Sequence, residues 1–306
     1  MTRVNFILGC TGGGKAALGL ALAQRLSGEI VSVDSMKIYR RMNIGTAKPT
    51  SQVQADVRHH CLDLVEPSET FSVARFVEAA DAAITDVASR GKIVLAVGGT
   101  ALYIKALTEG LFEGPAADEG LRRELKARAA EQGVPALHVE LATLDAEAAG
   151  RIHPNDEKRI IRAIEIFRLT GKPISQLQRQ WGSGQSRYEC VFIGLRRGLE
   201  DTNHRINARV KRMVEQGLCD EVAALLAEPA GLSAQAAQAV GYAEMIRHLR
   251  GELTLEEATE QIKINTRQFA KHQRTWFRRF AAVQWIDVAP DDKAETLAER
   301  LLPTFE

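Results

Sequence analysis

The sequence predicts an α/β fold with a P-loop-type core on a parallel sheet, a helical insertion domain and a helical C-terminal region. Three observations favour it. The glycine-rich segment "GCTGGGKA" (residues 9–16) stands between a strand-like apolar run and a helical run. Strand-like and helix-like segments then alternate, as in parallel sheets. Glycine and polar residues follow the predicted strands, where open α/β sheets bind their ligands.

The predicted strands can be taken in chain order. "RVNFILG" is a short apolar run that ends at the glycine-rich loop, and "KAALGLALAQRLSG" continues as a helix. A second strand, in "GEIVSVDS", ends at Asp34. A third, in "GKIVLAVGGTALYIKAL", ends at Gly98, Gly99 and Thr100 and runs into a helix. Because parallel strands end at one edge of the sheet, we expect these residues to lie near the glycine-rich loop.

The character of the chain changes after residue 115. Residues 116–188 hold charge-rich helical segments, "LRRELKARAAEQG" and "NDEKRIIRAIEIFRLTGK", and the polar stretch "QWGSGQSR". A strand-like "CVFIGL" then resumes, and helical character continues to about Phe280. We therefore interpret residues 116–188 as a helical insertion domain, and residues 1–115 with 189–306 as a catalytic core with C-terminal helices.

Composition limits the class of protein. Of 306 residues, 45% are hydrophobic and 26% charged, and the formal net charge is +1, as in a globular protein. No apolar run approaches the roughly 18 residues of a membrane span, and "VNFILG" is too short for a signal-peptide core. We expect a cytoplasmic monomer that binds no membrane. The cysteines form no C-x-x-C pair and are expected to be reduced thiols: Cys10, Cys61, Cys190 and Cys219.

Positive charge is concentrated on three helical segments, although the chain as a whole is nearly neutral. At helical spacing, the bases of "TRQFAKHQRTWFRRF" fall in one stripe about 60° wide. A capping box of Thr254 and Glu257 is expected to begin this helix. The three basic clusters are Arg267, Lys271, Arg274 and Arg278; Arg205, Arg209 and Arg212; and Lys158, Arg159 and Arg162.

Two interpretations of these basic faces remain open from the residues alone. One is a solvated helix face, with Phe269, Trp276 and Phe280 as aromatic core anchors. Solvated faces, however, usually mix both signs of charge four residues apart, and no acid interrupts residues 265–285. Three basic faces around a phosphate-binding loop favour the second interpretation, a polyanion partner such as a nucleic acid.

The glycine-rich loop departs from the pattern G-x-x-x-x-G-K-[ST] at one position. Gly9, Gly14 and Lys15 match, but Ala16 stands where a hydroxyl normally binds the Mg²⁺ of a nucleoside triphosphate. Backbone N–H groups and a helix N-terminus can bind a diphosphate without a nucleoside. A nucleotide-binding or ATP-binding kinase or NTPase is an alternative, but the missing hydroxyl at Ala16 counts against it.

Seven segments, in order, resemble one family, the tRNA dimethylallyltransferases. They are "GCTGGGKAAL", "VDSMKIYRRMNIGTAKP", "VGGTALYIKAL", "RIHPNDEKRIIRAIEI", "RINARVKRMVEQGL", "VGYAEM" and "TRQFAKHQRTWFRR", and they cover nearly the whole chain. The resemblance implies transfer of a dimethylallyl group from dimethylallyl diphosphate to N6 of the adenosine next to the anticodon in tRNA. It also implies Mg²⁺ as cofactor and the tRNA anticodon stem-loop as partner, with the insertion domain on the anticodon stem.

The resemblance also implies a role for each matched residue. Asp34 is expected to be the general base, while Thr11, Lys15 and Arg209 stabilise the departing diphosphate, and Thr100 contacts the target nucleotide. The expected diphosphate-binding residues are Gly9, Cys10, Thr11, Gly12, Gly13, Gly14, Lys15 and Ala16. The expected tRNA-binding residues are Asp34, Ser35, Met36, Lys37, Thr100, Arg122, Lys158, Arg159, Arg162, Gly241, Tyr242, Lys271, His272, Gln273, Arg274 and Arg278.

Three residues depart from the pattern of the family. Ala16 replaces a serine or threonine, so we assign no protein ligand to the metal and expect diphosphate oxygens and water to hold Mg²⁺, with Thr11 or Ser35 contributing. Lys37 stands where the family often has glutamine, and His272 where it usually has arginine. Both are expected to change contacts with the tRNA and not the chemistry.

Two other functions fit part of the sequence. An adenylate isopentenyltransferase prenylates free AMP or ATP, but a mononucleotide needs neither the insertion nor the basic C-terminal helix. A non-catalytic RNA-binding protein would not need Thr11, Lys15, Asp34 and Arg209 together. We therefore predict a tRNA prenyltransferase.

Overall fold

Six parallel strands form one sheet in the described part of the chain, in the order β3-β2-β4-β1-β5-β6. A computed structural model describes residues 1–111, 114–178 and 185–305. The strands are β1 (Arg3–Leu8), β2 (Glu29–Val33), β3 (His59–His60), β4 (Val94–Gly98), β5 (Glu189–Arg197) and β6 (Gln284–Val288). The predicted α/β class with a parallel sheet is confirmed.

Three strands end at the same level of this sheet. Leu8, at the end of β1, is in register with Gly98 of β4, and Gly98 is in register with Val33, at the end of β2. Along β1, Phe6 and Leu8 belong to one buried cluster and Ile7 to another, as expected for a strand covered on both faces. The loops that follow the three strands therefore meet at one edge.

Helices connect and cover the strands. They are α1 (Lys15–Arg25), α2 (Ser51–Asp56), α3 (Val73–Ser89), α4 (Ala101–Glu109), α5 (Glu119–Gln132), α6 (Val134–Leu144), α7 (Ala146–Arg151), α8 (Glu157–Thr170), α9 (Ile174–Leu177), α10 (Leu199–Glu215), α11 (Leu218–Ala227), α12 (Ala234–Ala237), α13 (Tyr242–Leu249), α14 (Leu255–Phe277) and α15 (Ala294–Leu301). The capping box predicted for α14 is confirmed, because Thr254 and Glu257 exchange both hydrogen bonds. None of the described helices is both long and apolar enough to cross a membrane.

The chain divides into two compact units. One comprises Met1–Thr108 and Arg187–Glu306, with the sheet, and the other is Glu109–Ser186. The second unit is helical and has its own buried apolar cluster, formed by residues of α5 to α9. The predicted insertion, residues 116–188, begins seven residues after this unit begins at Glu109 and ends two residues after it ends at Ser186. Residues 180–184, in its polar stretch, lie outside the described residues.

The elements that were not predicted are short or lie near the end of the chain. No individual strand or helix is predicted beyond Phe280, where the structure has β6 and α15, and the two-residue β3 is not predicted either. The interpretation of Phe269 as a core anchor is wrong, since its side chain is 45% exposed. The buried aromatic residue of α14 is Phe277, which packs near the partly buried Phe280.

Candidate active site

The glycine-rich loop joins β1 to the N-terminus of α1. Gly14 precedes the helix in a left-handed conformation, with φ 97°, and offers no side-chain cap. The first N–H groups of an α-helix have no partner inside the helix, and the first turn of α1 contains no acidic residue. Together with the positive end of the helix dipole, these groups favour an anion at this position.

Helix α10 brings two arginines to the loop. Arg209 donates to the Thr11 hydroxyl at 3.2 Å, and Arg205 donates to the carbonyl of Gly12 at 3.1 Å. From the loop itself, the Lys15 ammonium reaches the carbonyl of Cys10 at 3.4 Å. The predicted residues Thr11, Lys15 and Arg209 therefore do come together, around a loop that already attracts anions.

The charges at this loop do not balance. Burial lowers the pKa of Lys15 to about 8; the carboxylate of Asp34 opposes this shift, and the cations Lys37 and Arg209 add to it. Burial likewise lowers the pKa values of Lys37 and Arg209, and Asp34 again opposes the shift in both. Three cations thus share the field of one carboxylate, an arrangement that an additional anion would stabilise.

Asp34 lies directly after β2 with one carboxylate oxygen fixed by the backbone. Its Oδ1 accepts hydrogen bonds from the N–H groups of Met36 at 2.9 Å and Lys37 at 3.3 Å. Among the described residues, no hydrogen bond is made to Oδ2. One oxygen therefore orients the group, and the other can accept a proton from a ligand.

Thr100 lies beside this aspartate, after β4. Its hydroxyl accepts from the N–H of Ser35 at 3.2 Å, and its own N–H donates to the carbonyl of Val33. A hydroxyl that accepts one hydrogen bond can still donate its proton. Asp34 and Thr100 therefore present a proton acceptor and a donor next to each other, at the same sheet edge as the phosphate loop.

Gln273 of α14 is not on the surface as a predicted tRNA contact would be. Its side-chain oxygen accepts from the N–H of Thr11 at 2.8 Å, and its side-chain nitrogen donates to the carbonyl of Gly99 at 2.9 Å. The side chain is 7% exposed. Both polar atoms of the amide are used inside the protein, so a direct contact between Gln273 and tRNA stays a prediction.

The other predicted contacts on α14 lie on its outer face. Lys271, His272 and Arg278 are exposed, and Arg274 is partly buried with its guanidinium 3.8 Å from the Cys10 sulfur. A cleft of about 270 Å³ separates α10 from α14 on this face. Its lining consists of Leu199, Asn203, Ile264, Arg267, Gln268, Lys271 and Arg274. The basic stripe thus borders an open cleft, and one of its lining residues, Arg274, also contacts the loop.

Two further predicted contacts, Gly241 and Tyr242, lie at buried positions. Tyr242 is fully buried, and its hydroxyl donates to the Glu221 carboxylate. The same carboxylate accepts from the N–H groups of residues 43–45. Through this shared carboxylate Tyr242 stabilises the loop around residue 45, and a contact between Tyr242 and tRNA stays a prediction.

In the helical unit, the predicted basic residues differ in their surroundings. Arg122 and Arg162 both bind Glu165, whose carboxylate is fully buried, and keep side-chain exposures of 30%. Burial alone would raise the pKa of Glu165. The hydrogen bonds from the two arginines outweigh this effect, so the pKa lies below its usual value. Lys158 and Arg159 are exposed. This unit therefore presents two guanidinium groups held by Glu165 and two exposed cations, of which Arg159 also lies 3.4 Å from the Asp156 carboxylate.

The oxygen donors around the loop give little support for a metal bound directly by protein. Ala16 has no hydroxyl, the Thr11 hydroxyl already accepts from Arg209, and Lys15 and Lys37 repel a divalent cation. Hard cations such as Mg²⁺ need oxygen ligands and commonly take them from substrate phosphates. The residues present therefore fit a metal that arrives on a diphosphate, with Ser35 as a further hydroxyl.

One other group of residues has metal-ligand geometry. Ligand atoms of Glu29, His60 and Asp86 lie within 4.8 Å of one another. Arg90, however, bonds to both carboxylates, and Lys92 binds Glu29 at 2.8 Å. These cations already neutralise the acids, so the group is an ion-pair cluster, at the opposite end of β2 from Asp34.

Comparison with known proteins assigns the family. The family model described as IPP transferase matches residues 37–280. The chain belongs to the IPP transferase family. Over 286 residues it is 46% identical to a tRNA dimethylallyltransferase of Geobacter metallireducens, covering 94% of this chain and 93% of that protein. Over 304 residues it is 45% identical to the corresponding Geobacillus thermodenitrificans protein, covering 98% and 95%.

Solved structures of the family have the same fold. The full-length tRNA isopentenylpyrophosphate transferase of Bacillus halodurans is 41% identical, with a TM-score of 0.72, covering 100% of this chain and 97% of that one. A eukaryotic dimethylallyltransferase, described as acting on tRNA, gives a TM-score of 0.81 at 28% identity, covering 100% and 79%. The P-loop-type α/β core is therefore a feature that this chain shares with these structures.

The structure also adds residues that sequence reasoning did not assign to the loop. Arg205 contacts Gly12 and was placed only in a basic stripe, and Arg274 contacts Cys10 although it was expected on tRNA. The sequence did contain a signal for Arg205, because it shares a basic helix face with Arg209, which was expected at the loop. Nothing in the sequence indicates that one arginine of α14 turns towards the loop, because that depends on how two distant helices pack.

Proposed function

We propose that this chain transfers a dimethylallyl group from dimethylallyl diphosphate to N6 of the adenosine next to the anticodon in tRNA, releasing diphosphate. One observation carries the proposal: a loop with excess positive charge and a partly free carboxylate, Asp34, meet at one edge of the sheet. A cationic site and a base side by side suit a reaction in which an anion leaves while an amine loses a proton. Membership of the family supports tRNA as the acceptor.

In the proposed reaction the N6 lone pair forms a bond to the first carbon of the allyl group. The bond from that carbon to the diphosphate oxygen breaks, and its electron pair leaves with diphosphate. The amine becomes cationic as it bonds, and a proton passes from it to Oδ2 of Asp34. Oδ1 stays hydrogen-bonded to the backbone, so the carboxylate keeps its orientation during the transfer.

The departing diphosphate is stabilised by groups that are already in place. Lys15 and Arg209 supply charge, and the N-terminus of α1 supplies N–H donors. Because the Thr11 hydroxyl accepts from Arg209, its own proton points elsewhere and can be donated to the bridging oxygen. Donors fixed before reaction stabilise developing charge without a reorganisation cost.

The acceptor is proposed to reach the site as a base turned out of the anticodon loop. A stacked base cannot bring N6 to Asp34, so unstacking is required. Thr100 would contact the target nucleotide, and the exposed side chains Lys271, His272 and Arg278, in and just after α14, would bind the RNA backbone. On the helical unit, Arg122, Lys158, Arg159 and Arg162 are proposed to contact the anticodon stem. We expect the protein to act as a monomer.

Mg²⁺ is proposed to accompany the donor, bound to diphosphate oxygens and water, with Ser35 or Thr11 contributing. When bound, it would neutralise further charge on the diphosphate. Ala16→Ser tests the role of position 16 by restoring a hydroxyl to the loop. A lower Mg²⁺ concentration at half-maximal turnover in this variant would implicate position 16, and an unchanged Mg²⁺ dependence would show that this position has no part in metal binding.

The function is tested by transfer of a radiolabelled dimethylallyl group to an unmodified anticodon stem-loop, with AMP as a competing acceptor. Label on the stem-loop adenosine is expected, with turnover lowered at least about 100-fold in Asp34→Asn, which keeps the size but not the basicity of the side chain. Inorganic diphosphate should bind this variant at least as well as the wild type. Label on AMP alone would refute tRNA as the acceptor, and full activity of Asp34→Asn would refute the assignment of the base.

A further inference from the structure

Gln273 connects the two loops that hold the donor and acceptor groups of the proposed reaction. It accepts from Thr11 in the phosphate loop and donates to Gly99, in the turn that carries Thr100. These loops follow β1 and β4, which are adjacent in the sheet but separated by more than 80 residues in sequence. A single side chain from a third element therefore spans both.

The chemistry of this bridge requires one donor and one acceptor at the same side-chain end. A neutral amide supplies both, because its oxygen accepts and its nitrogen donates. The two groups that it satisfies, a backbone N–H and a backbone carbonyl, are at buried positions. Loss of the amide would leave both without this partner in a place that water reaches poorly.

The turn is also shaped to accept this side chain. A Cβ atom at Gly99 would lie 2.5 Å from the side-chain nitrogen of Gln273 and 3.0 Å from the carbonyl oxygen of Gly9. Both distances are too short for any residue larger than glycine without movement of the loops. Gly99 therefore lets the turn, the amide and the phosphate loop approach one another closely.

We infer that Gln273 is a positioning residue for prenyl transfer, setting the distance between the diphosphate site and the acceptor site, and that it does not bind tRNA directly. On the donor side, the residue that it fixes is Thr11, whose hydroxyl is in turn held by Arg209. On the acceptor side it fixes the turn before Thr100, which binds the segment after Asp34. The inference rests on the proposed function for its catalytic consequence, but the bridge itself can be tested by binding.

The first test removes both hydrogen bonds with little change in volume, in Gln273→Met. Turnover is expected to fall by at least about 10-fold, because small displacements of reacting groups have large effects on rate. Affinity for the stem-loop RNA should change by less than about twofold, and hydrogen exchange of the peptide containing residues 9–16 should accelerate. Gln268→Met, at an exposed position of the same helix, is the matched control and should resemble the wild type.

A second variant, Gln273→Glu, separates positioning from simple loss of folding. A protonated carboxyl group can accept from Thr11 and donate to Gly99 as the amide does, but an ionised one can only accept and would face a carbonyl oxygen. Its turnover relative to the wild type should therefore rise as pH falls from about 8 to about 5. A residue that served packing alone would give a pH-independent ratio, and thermal unfolding of each variant identifies any that is unfolded.

Failure of this inference is distinct from failure of the proposed function. If the wild type transfers no prenyl group, the function is refuted, while diphosphate affinity and hydrogen exchange in the Gln273 variants still report on the bridge. If Gln273→Met keeps wild-type turnover and loses RNA affinity, Gln273 is an RNA contact and the inference is overturned. A flat pH ratio for Gln273→Glu would overturn it as well.

Discussion

Arg209 offers the sharpest test of how the diphosphate site is built. Its guanidinium lies 3.2 Å from the Thr11 hydroxyl and within the field of Asp34 and Lys15. Arg209→Met removes one charge and the charge-assisted hydrogen bond that the guanidinium is expected to donate to a diphosphate oxygen, but keeps most of the aliphatic stem. Hydrogen bonds to charged groups contribute about 1.5 to 3 kcal/mol, which corresponds to an increase of about 10- to 150-fold in the Kd for diphosphate.

The assay is calorimetric titration of inorganic diphosphate, without RNA, at fixed pH and ionic strength. Arg212→Met is the matched control, since it removes the same group one turn further along α10, where the side chain is exposed. It should raise the Kd by less than about twofold, because exposed charges are screened by solvent and salt. Equal losses in the two variants would refute a specific contact, as the effect would then be one of net charge.

Three further predictions follow from other parts of the structure. Because burial lowers the pKa of Lys15 to about 8, diphosphate affinity should fall as pH rises through about 8, and Lys15→Arg should remove this fall, measured by titration at several pH values. Tyr242→Phe should lower the free energy of unfolding by about 1 kcal/mol in urea and leave RNA affinity unchanged; weaker RNA binding would contradict the burial of its side chain. Hydrogen bonds from two arginines outweigh burial and hold the pKa of Glu165 below its usual value, so the stability that it contributes should be lost as pH falls through the acid range. The acid shift of the urea midpoint should be smaller in Glu165→Gln, and an unchanged shift would argue against the pairing.

The parts of the fold that were predictable are those with strong local signals. The strands β1, β2 and β4 are short, mostly apolar and buried segments followed by glycine or polar residues, and the capping box of Thr254 and Glu257 marks the start of α14. The short β3 and the half-polar β6 lack such a signal, since two residues, or a "QWIDV" that neither alternates strictly nor forms an apolar run, are compatible with a loop. Periodicity alone also could not tell which aromatic residue of α14 is buried.

The candidate site shows the same division. The motif around the loop and the position of Asp34 after a strand predict a phosphate site with a carboxylate nearby, and the structure does bring Lys15, Thr11, Arg209 and Asp34 together. Tyr242 and Gln273, by contrast, were expected on RNA by resemblance, and both side chains make hydrogen bonds inside the protein. A motif records that a residue type occurs at a position, and does not distinguish a surface contact from a buried hydrogen bond.

By itself, the sequence determined the strand–loop–helix order, the departure at Ala16 and the accumulation of basic residues on three helices, because these are properties of neighbouring residues along the chain. Only the tertiary structure decided that Arg205 and Arg274 turn towards the loop, that Glu165 neutralises part of a basic cluster, and that the amide of Gln273 joins Thr11 to Gly99. Each of these contacts joins elements far apart in sequence. Such contacts depend on how the helices pack on the sheet, so they cannot be predicted from the local sequence around either residue.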